Sequence, residues 1–231
     1  GMAATAVTEN GKIISMRDIS SINIRVASER KGCADEIMKN FFENRLSNII
    51  VAGAPMSGKT TVLRDLVRQI SNGNAGRFYK CAVVDERSEI AAVNGGKAEN
   101  DVGENTDVLN LYPKEKAISH SLRVLSPDMI FCDEISSCSE ANDVIDGIMC
   151  GVHFALSVHC ENMNSLFARD ITSKLIKSGV IDEVIFLGTG ESTGKITSIY
   201  KAGEKSNENS GFDIGCGNLF SDGQFARRED A

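Results

Sequence analysis

One stretch constrains this chain more than any other: G-A-P-M-S-G-K-T-T at positions 53–61. It matches G-x-x-x-x-G-K-[ST] at Gly53, Gly58, Lys59 and Thr60. The apolar run 48–52 precedes it, and a helix carrying Val62, Leu63, Leu66, Val67 and Ile70 on one face follows. A chance glycine-rich turn would lack both flanks. The glycines let the backbone curl so that successive N–H groups face phosphates, and the helix N-terminus adds its partial positive charge. Gly53, Ala54, Pro55, Met56, Ser57, Gly58, Lys59, Thr60 and Thr61 are therefore expected to cradle ATP or a related nucleoside triphosphate. Lys59 is expected to neutralise the β- and γ-phosphates, and the Thr60 hydroxyl to ligate Mg²⁺.

The pattern around this loop predicts an α/β fold. Short apolar runs alternate with glycine turns and amphipathic helices from Asn48 onward, the signature of a mainly parallel central sheet with both faces covered. Strands are expected at 49–52, 81–84, 129–132, 154–158, 183–187 and 195–200. Upstream, Asn10-Gly11 between two β-prone runs predicts a hairpin. Alternation over 22–26 predicts a strand, and the spacing over 35–42 a helix. Residues 1–45 thus read as an N-terminal lead-in, 46–202 as a P-loop domain, and the Gly-, Ser- and Asn-rich stretch 203–231 as a mobile tail. The segment 94–106 reads as a long loop, a candidate for active-site or subunit contact.

Two apolar runs end in paired acids. Met129–Cys132 leads into Asp133 and Glu134, the form of a Walker B strand: Asp133 placed to hold Mg²⁺ and Glu134 to act as general base. Cys81–Val84 leads into Asp85 and Glu86. In a parallel sheet these open onto the same crevice, although Asp85 or Ser88 could equally cap the following turn. His159 follows a further apolar run at the same expected edge. On position alone a structural histidine is the commoner reading.

Bulk properties exclude several classes. A 231-residue chain with 42% hydrophobic and 25% charged residues buries a sizeable core, and a net charge of −7 gives no footprint for direct nucleic-acid binding. Seven cysteines lack paired metal spacing and read as reduced, buried cytosolic thiols. No run approaches the roughly 20 apolar residues that a spanning helix needs.

The order of P-loop, V-V-D-E-R-S-E-I, F-C-D-E-I and S-V-H-C resembles the Walker A, Asp box, Walker B and His box of secretion and pilus motor ATPases. More closely, S-I-N-I-R-V-A at 21–27, N-D-V-G-x-x-T-D-V-L at 100–109 and S-P-D-x-I at 126–130 resemble the stage III sporulation protein AA family. That resemblance implies a RecA-like ATPase hydrolysing ATP with Mg²⁺. It would be assembled as a ring, a hexamer by the same resemblance, in the mother-cell cytoplasm, peripheral to a membrane and docked on the channel subunits of a sporulation secretion complex. A generic type II or type IV secretion or pilus ATPase is the near alternative; a nucleotide-dependent scaffold with little hydrolysis is the alternative of another class. The resemblance assigns the Asp box to Asp85 and Glu86, the Walker B acids to Asp133 and Glu134, and a γ-phosphate contact to His159. It also implies a further N-terminal region, so the chain is expected to be a fragment. The family pattern has arginine where Asn105 stands, glycine and arginine at Ser136 and Ser137, and glycine at Cys160. Arg87 and Arg123 are the remaining candidates for transition-state charge.

Overall fold

The computed structural model describes residues 2–23 and 29–202. The expected tail 203–231 and most of the expected strand 22–26 lie outside those residues. Strands β1 (Met2–Glu9) and β2 (Lys12–Ile22) pair antiparallel across Asn10-Gly11, both with positive φ, as the sequence predicts. Ile13, Ile14, Met16, Ile19 and Ile22 are exposed on this hairpin.

Helix α1 (Asp35–Phe41) buries Ile37, Met38 and Phe41. The chain then runs through β3 (Ile49–Gly53), α2 (Lys59–Ser71), β4 (Cys81–Asp85) and a two-residue hairpin, β5 (Val93–Asn94) with β6 (Lys97–Ala98). Next come β7 (Thr106–Asn110), α3 (Lys114–His120) with a π-helical turn at Ser121–Leu125, β8 (Met129–Cys132) and α4 (Cys138–Met149). It finishes with β9 (His153–His159), α5 (Met163–Ala168), α6 (Asp170–Lys177), β10 (Glu183–Leu187) and β11 (Ile196–Lys201).

Seven strands form one sheet in the order β11-β10-β3-β9-β8-β4-β7, parallel except for β11. Because side chains alternate along a strand, each buried strand feeds both faces. Ile49, Val51, Val83 and Phe131 meet α1 and α2 on one side; Ile50, Ala52, Val84, Leu156 and Phe186 meet residues of α3, α4 and α6 on the other. The apolar residues of α1 share their core with α2 and the sheet, so α1 packs as part of the P-loop body although its sequence position groups it with the lead-in.

Two differences from the sequence expectation have one cause. Thr106–Asn110 is an edge strand parallel to β4, and the long loop before it is the crossover between these neighbours, built without a helix. That crossover docks on the C-terminal end of α2, where Ser71 Oγ donates to Val102 O and Glu104 N–H donates to Asn72 Oδ1 at 3.1 Å. It leaves the sheet's C-terminal edge and ends at the opposite one.

Candidate nucleotide site

The loop between β3 and α2 is shaped by close backbone approach. A Cβ on Gly53 would overlap the Ser57 hydroxyl and come 3.1 Å from Leu187 O; Gly58 starts α2 at φ +93°, where L side chains are strained. Gly194, in the β10–β11 turn, donates its N–H to Ser57 O at 2.9 Å and braces the loop from the flank. No side chain caps the N-terminus of α2. The Lys59 ammonium, only 6% exposed, donates to Gly53 O at 2.9 Å and Ala54 O at 2.8 Å and lies 3.4 Å from Ser57 Oγ. Burial lowers its pKa, and the nearby Asp133 and Glu134 oppose that shift.

The acids after β8 meet this loop. Thr60 Oγ1 donates to Asp133 Oδ2 at 3.0 Å. Ser157, fully buried on β9, donates its hydroxyl to the other Asp133 oxygen and accepts the Glu134 N–H at 2.9 Å. Glu134 has a left-handed backbone, φ +51°. Its carboxylate lies 2.9 Å from Arg87 and 3.6 Å from His159 Nε2, the latter too long for a direct hydrogen bond. β9 pairs with β3 so that His159 stands opposite Gly53, beside the loop. Its Nδ1 is buried and, among the described residues, has no hydrogen-bond partner.

The pair after β4 divides. Asp85, 1% exposed, turns inward and accepts N–H bonds from Glu89 at 2.8 Å, Ile90 at 3.1 Å and Ala91 at 2.9 Å. Both oxygens thereby accept from the turn, the arrangement expected of the capping alternative for Asp85. Glu86 points to Lys114 Nζ at 3.4 Å. Thr61 is half-buried in the first turn of α2, with its carbonyl facing Cys33, and Met56 projects outward at 91% exposure.

Several other expectations are relocated. Asn105 bonds through its carbonyl to Cys81 N–H at 2.9 Å, at the N-terminal edge of the sheet, away from this loop. Arg123 belongs to the π-helical turn that ends beside Lys80, at that same far edge, because α3 has carried the chain back across the sheet before β8. Ser137 caps α4 by accepting Glu140 N–H at 3.1 Å, and Glu140 in turn accepts the Ser136 N–H at 2.8 Å. Cys160 is buried. The thiols are not uniformly buried, since Cys138 and Cys150 are exposed.

Ser157 and Lys114 were invisible as site residues from sequence. Ser157 sits inside an apolar run, and Lys114 reaches the crevice only because the unrecognised β7 delivers α3 to that edge. The donor set fits magnesium and a triphosphate: a hydroxyl and a carboxylate oxygen stand side by side, hard ligands of the kind Mg²⁺ takes, next to a lysine and an uncapped helix start.

A parallel sheet with one strand between the loop-bearing β3 and the acid-ended β8 defines a RecA-like P-loop protein. The VirB11 ATPase from the Brucella suis type IV secretion system, solved with sulphate, shares the fold with a TM-score of 0.52 and 19% identity, over 73% of this chain and 52% of that one. The pilus retraction motor PilT with bound ADP shares it at 0.50 and 14%, over 80% of this chain and 58% of that one. This chain belongs to the sporulation stage III, protein AA family, which it matches over residues 1–206. It is 32% identical over 201 residues to stage III sporulation protein AA of Bacillus subtilis (strain 168), covering 87% of this chain and 66% of that protein. The chain therefore spans just under two thirds of that relative and little more than half of the two solved structures. Among the described residues no helix is long and apolar enough to cross a membrane.

Proposed function

We propose that this chain is a magnesium-dependent ATPase subunit that powers or assembles a membrane-associated secretion channel during endospore formation. The observation that carries the reading is the meeting of Lys59, the Thr60–Asp133 pair at 3.0 Å and Glu134 at one sheet edge. Lys59 exchanges the carbonyls of Gly53 and Ala54 for the β- and γ-phosphates, so its charge is already desolvated and aimed when nucleotide arrives. Thr60 and Asp133 hold the metal, which when bound neutralises charge on the transferring phosphoryl group. Glu134 accepts the proton of the attacking water, and His159 stands beside it, at the position where β9 meets the loop strand.

The family and the fold support a ring, in the hexameric form, peripheral to the membrane in the mother-cell cytoplasm, with channel subunits as partners. A ring also supports a shared site, because Arg87 is taken up by Glu134 and Arg123 lies at the far edge of its own subunit. Activity per subunit is then expected to rise with protein concentration across a hundredfold dilution, on the order of 10³-fold where a basic group is supplied in trans. Light scattering at each point relates the rise to assembly.

A second reading, a nucleotide-dependent scaffold with little hydrolysis, is favoured by one observation: the Glu134 carboxylate is already engaged by Arg87 at 2.9 Å. Calorimetry with Mg-ATP on the parent and Lys59→Ala tests the binding common to both readings. Tight binding lost in the variant supports them; equal affinity overturns the P-loop assignment.

A further inference from the structure

Lys114 is a buried charge that the known motifs of this fold leave without a task. It follows Pro113 at the start of α3, where Leu111 N–H donates to Asp85 O at 3.0 Å and ties the end of β7 to the end of β4. The side chain is thereby threaded between the ends of β4 and β8. It is 5% exposed, its ammonium lies 3.4 Å from Glu86 Oε2, and it donates to the backbone carbonyl of Glu134. A buried ammonium must be paired to be tolerated, and an apolar residue of similar length would serve packing alone at least as well.

Glu134 is held in a left-handed conformation that a non-glycine residue adopts only at a cost. Its peptide groups are gripped from both sides: the N–H by Ser157 Oγ at 2.9 Å and the C=O by Lys114. With both groups held, the carboxylate lies toward Arg87 and His159. We propose that Lys114 is a positioning residue that locks the left-handed backbone of Glu134, and that Glu86 acts by steadying Lys114 rather than by touching phosphate. The inference rests on the ATPase reading for its kinetic consequence, and on geometry alone for the lock. Loss of the Lys114 bond leaves that peptide held by the Ile135 N–H bond to Ser157 O at 3.3 Å alone, and is expected to let residue 134 relax toward negative φ and turn its carboxylate away from the loop.

The test compares Lys114→Met, Lys114→Arg, Glu86→Gln and the double variant Lys114→Met with Glu86→Gln, with Glu134→Gln as reference. Phosphate release is expected to show kcat about 10²-fold lower in Lys114→Met, since small misplacements of a reacting group have effects of that order. KM for Mg-ATP stays within about twofold, because ground-state binding is untouched. Lys114→Arg, which keeps a charged donor, recovers part of the loss. Glu86→Gln has a smaller effect that vanishes in the Lys114→Met background, as for residues acting through one another. Amide hydrogen exchange at Glu134 quickens in Lys114→Met, and this readout needs no turnover. Wild-type kcat in Lys114→Met, a loss confined to KM or matched by a lower melting temperature, or unchanged exchange at Glu134 overturns the proposal. A parent chain whose turnover is not reduced by Glu134→Gln overturns the hydrolysis reading instead, and the exchange measurement still decides the lock.

Discussion

Strands β4 and β8 are hydrogen-bonded neighbours, both buried throughout, and both run out at the same edge into Asp-Glu. The two pairs are nevertheless used differently. After β4 the chain closes a tight turn whose three N–H groups point back at Asp85, and the aspartate becomes the anchor of that turn. After β8 no such turn forms: Ser157 lies beneath, Glu134 turns left-handed, and Asp133 faces Thr60. The glutamates diverge too, Glu86 to Lys114 and Glu134 to Arg87 and His159. An acid pair at a strand end therefore has its place along the edge set by the strand, and its direction set by the backbone that follows.

The difference can be attacked at each member. Asp85→Asn replaces one accepting oxygen by an NH₂ group that opposes the Glu89 N–H, or those of Ile90 and Ala91, in a buried site, and is expected to cost about 3 kcal/mol of stability, read as a shift in urea midpoint. Any loss of turnover should track that unfolding. Ser157→Ala strips the Asp133 carboxylate of a donor and the Glu134 N–H of its acceptor; about 1–2 kcal/mol of stability should go, with a proportionately larger drop in kcat. Equal stability losses for both variants, with no kinetic excess in Ser157→Ala, would erase the contrast.

A third aspartate, remote from the crevice, gives a control, with the smallest effect on the site. Asp65 on α2 accepts the N–H groups of Gly32 and Ala34, both at 2.9 Å, together with Arg68 and Gln69. Burial acts to raise its pKa, but the bonds from Ala34, Arg68 and Gln69 outweigh it and hold the carboxyl below its ordinary value. A carboxyl depressed on folding contributes stability that is present above its unfolded pKa of about 3.9 and is lost as pH falls through the folded value. Thermal melts of wild type and Asp65→Asn should therefore differ most near neutrality, begin to converge as pH falls past about 4 and meet below the folded value, with the nucleotide site unaffected.

Much of this is legible in the sequence. The loop at 53–61, the hairpin at Asn10-Gly11 and the strands expected from 49, 81, 129, 154, 183 and 195, all present within a residue of those starts, each carry a local signal in composition or spacing. Thr106–Asn110 lacks one because an edge strand buries little: Leu109 is its only buried residue. Without that strand the segment before it looked like a free loop, and Lys114 had no reason to lie at the crevice. The direction of Asp85 was likewise hidden, since it depends on a turn formed by residues 86–91, and so was the placement of Asn105 and Arg123 at the far edge, which follows from counting crossovers.

The central claim is that the Asp-Glu pair of β8, and not that of β4, carries the chemistry. Steady-state phosphate release by Glu134→Gln beside Glu86→Gln, with Mg-ATP binding checked for each, tests it most directly. Glu134→Gln is expected to keep its nucleotide and lose turnover by about 10²-fold or more, as when a general base can no longer accept a proton, while Glu86→Gln falls far less. Wild-type turnover in Glu134→Gln, or a deeper loss in Glu86→Gln, would contradict the account and move the base to the neighbouring strand.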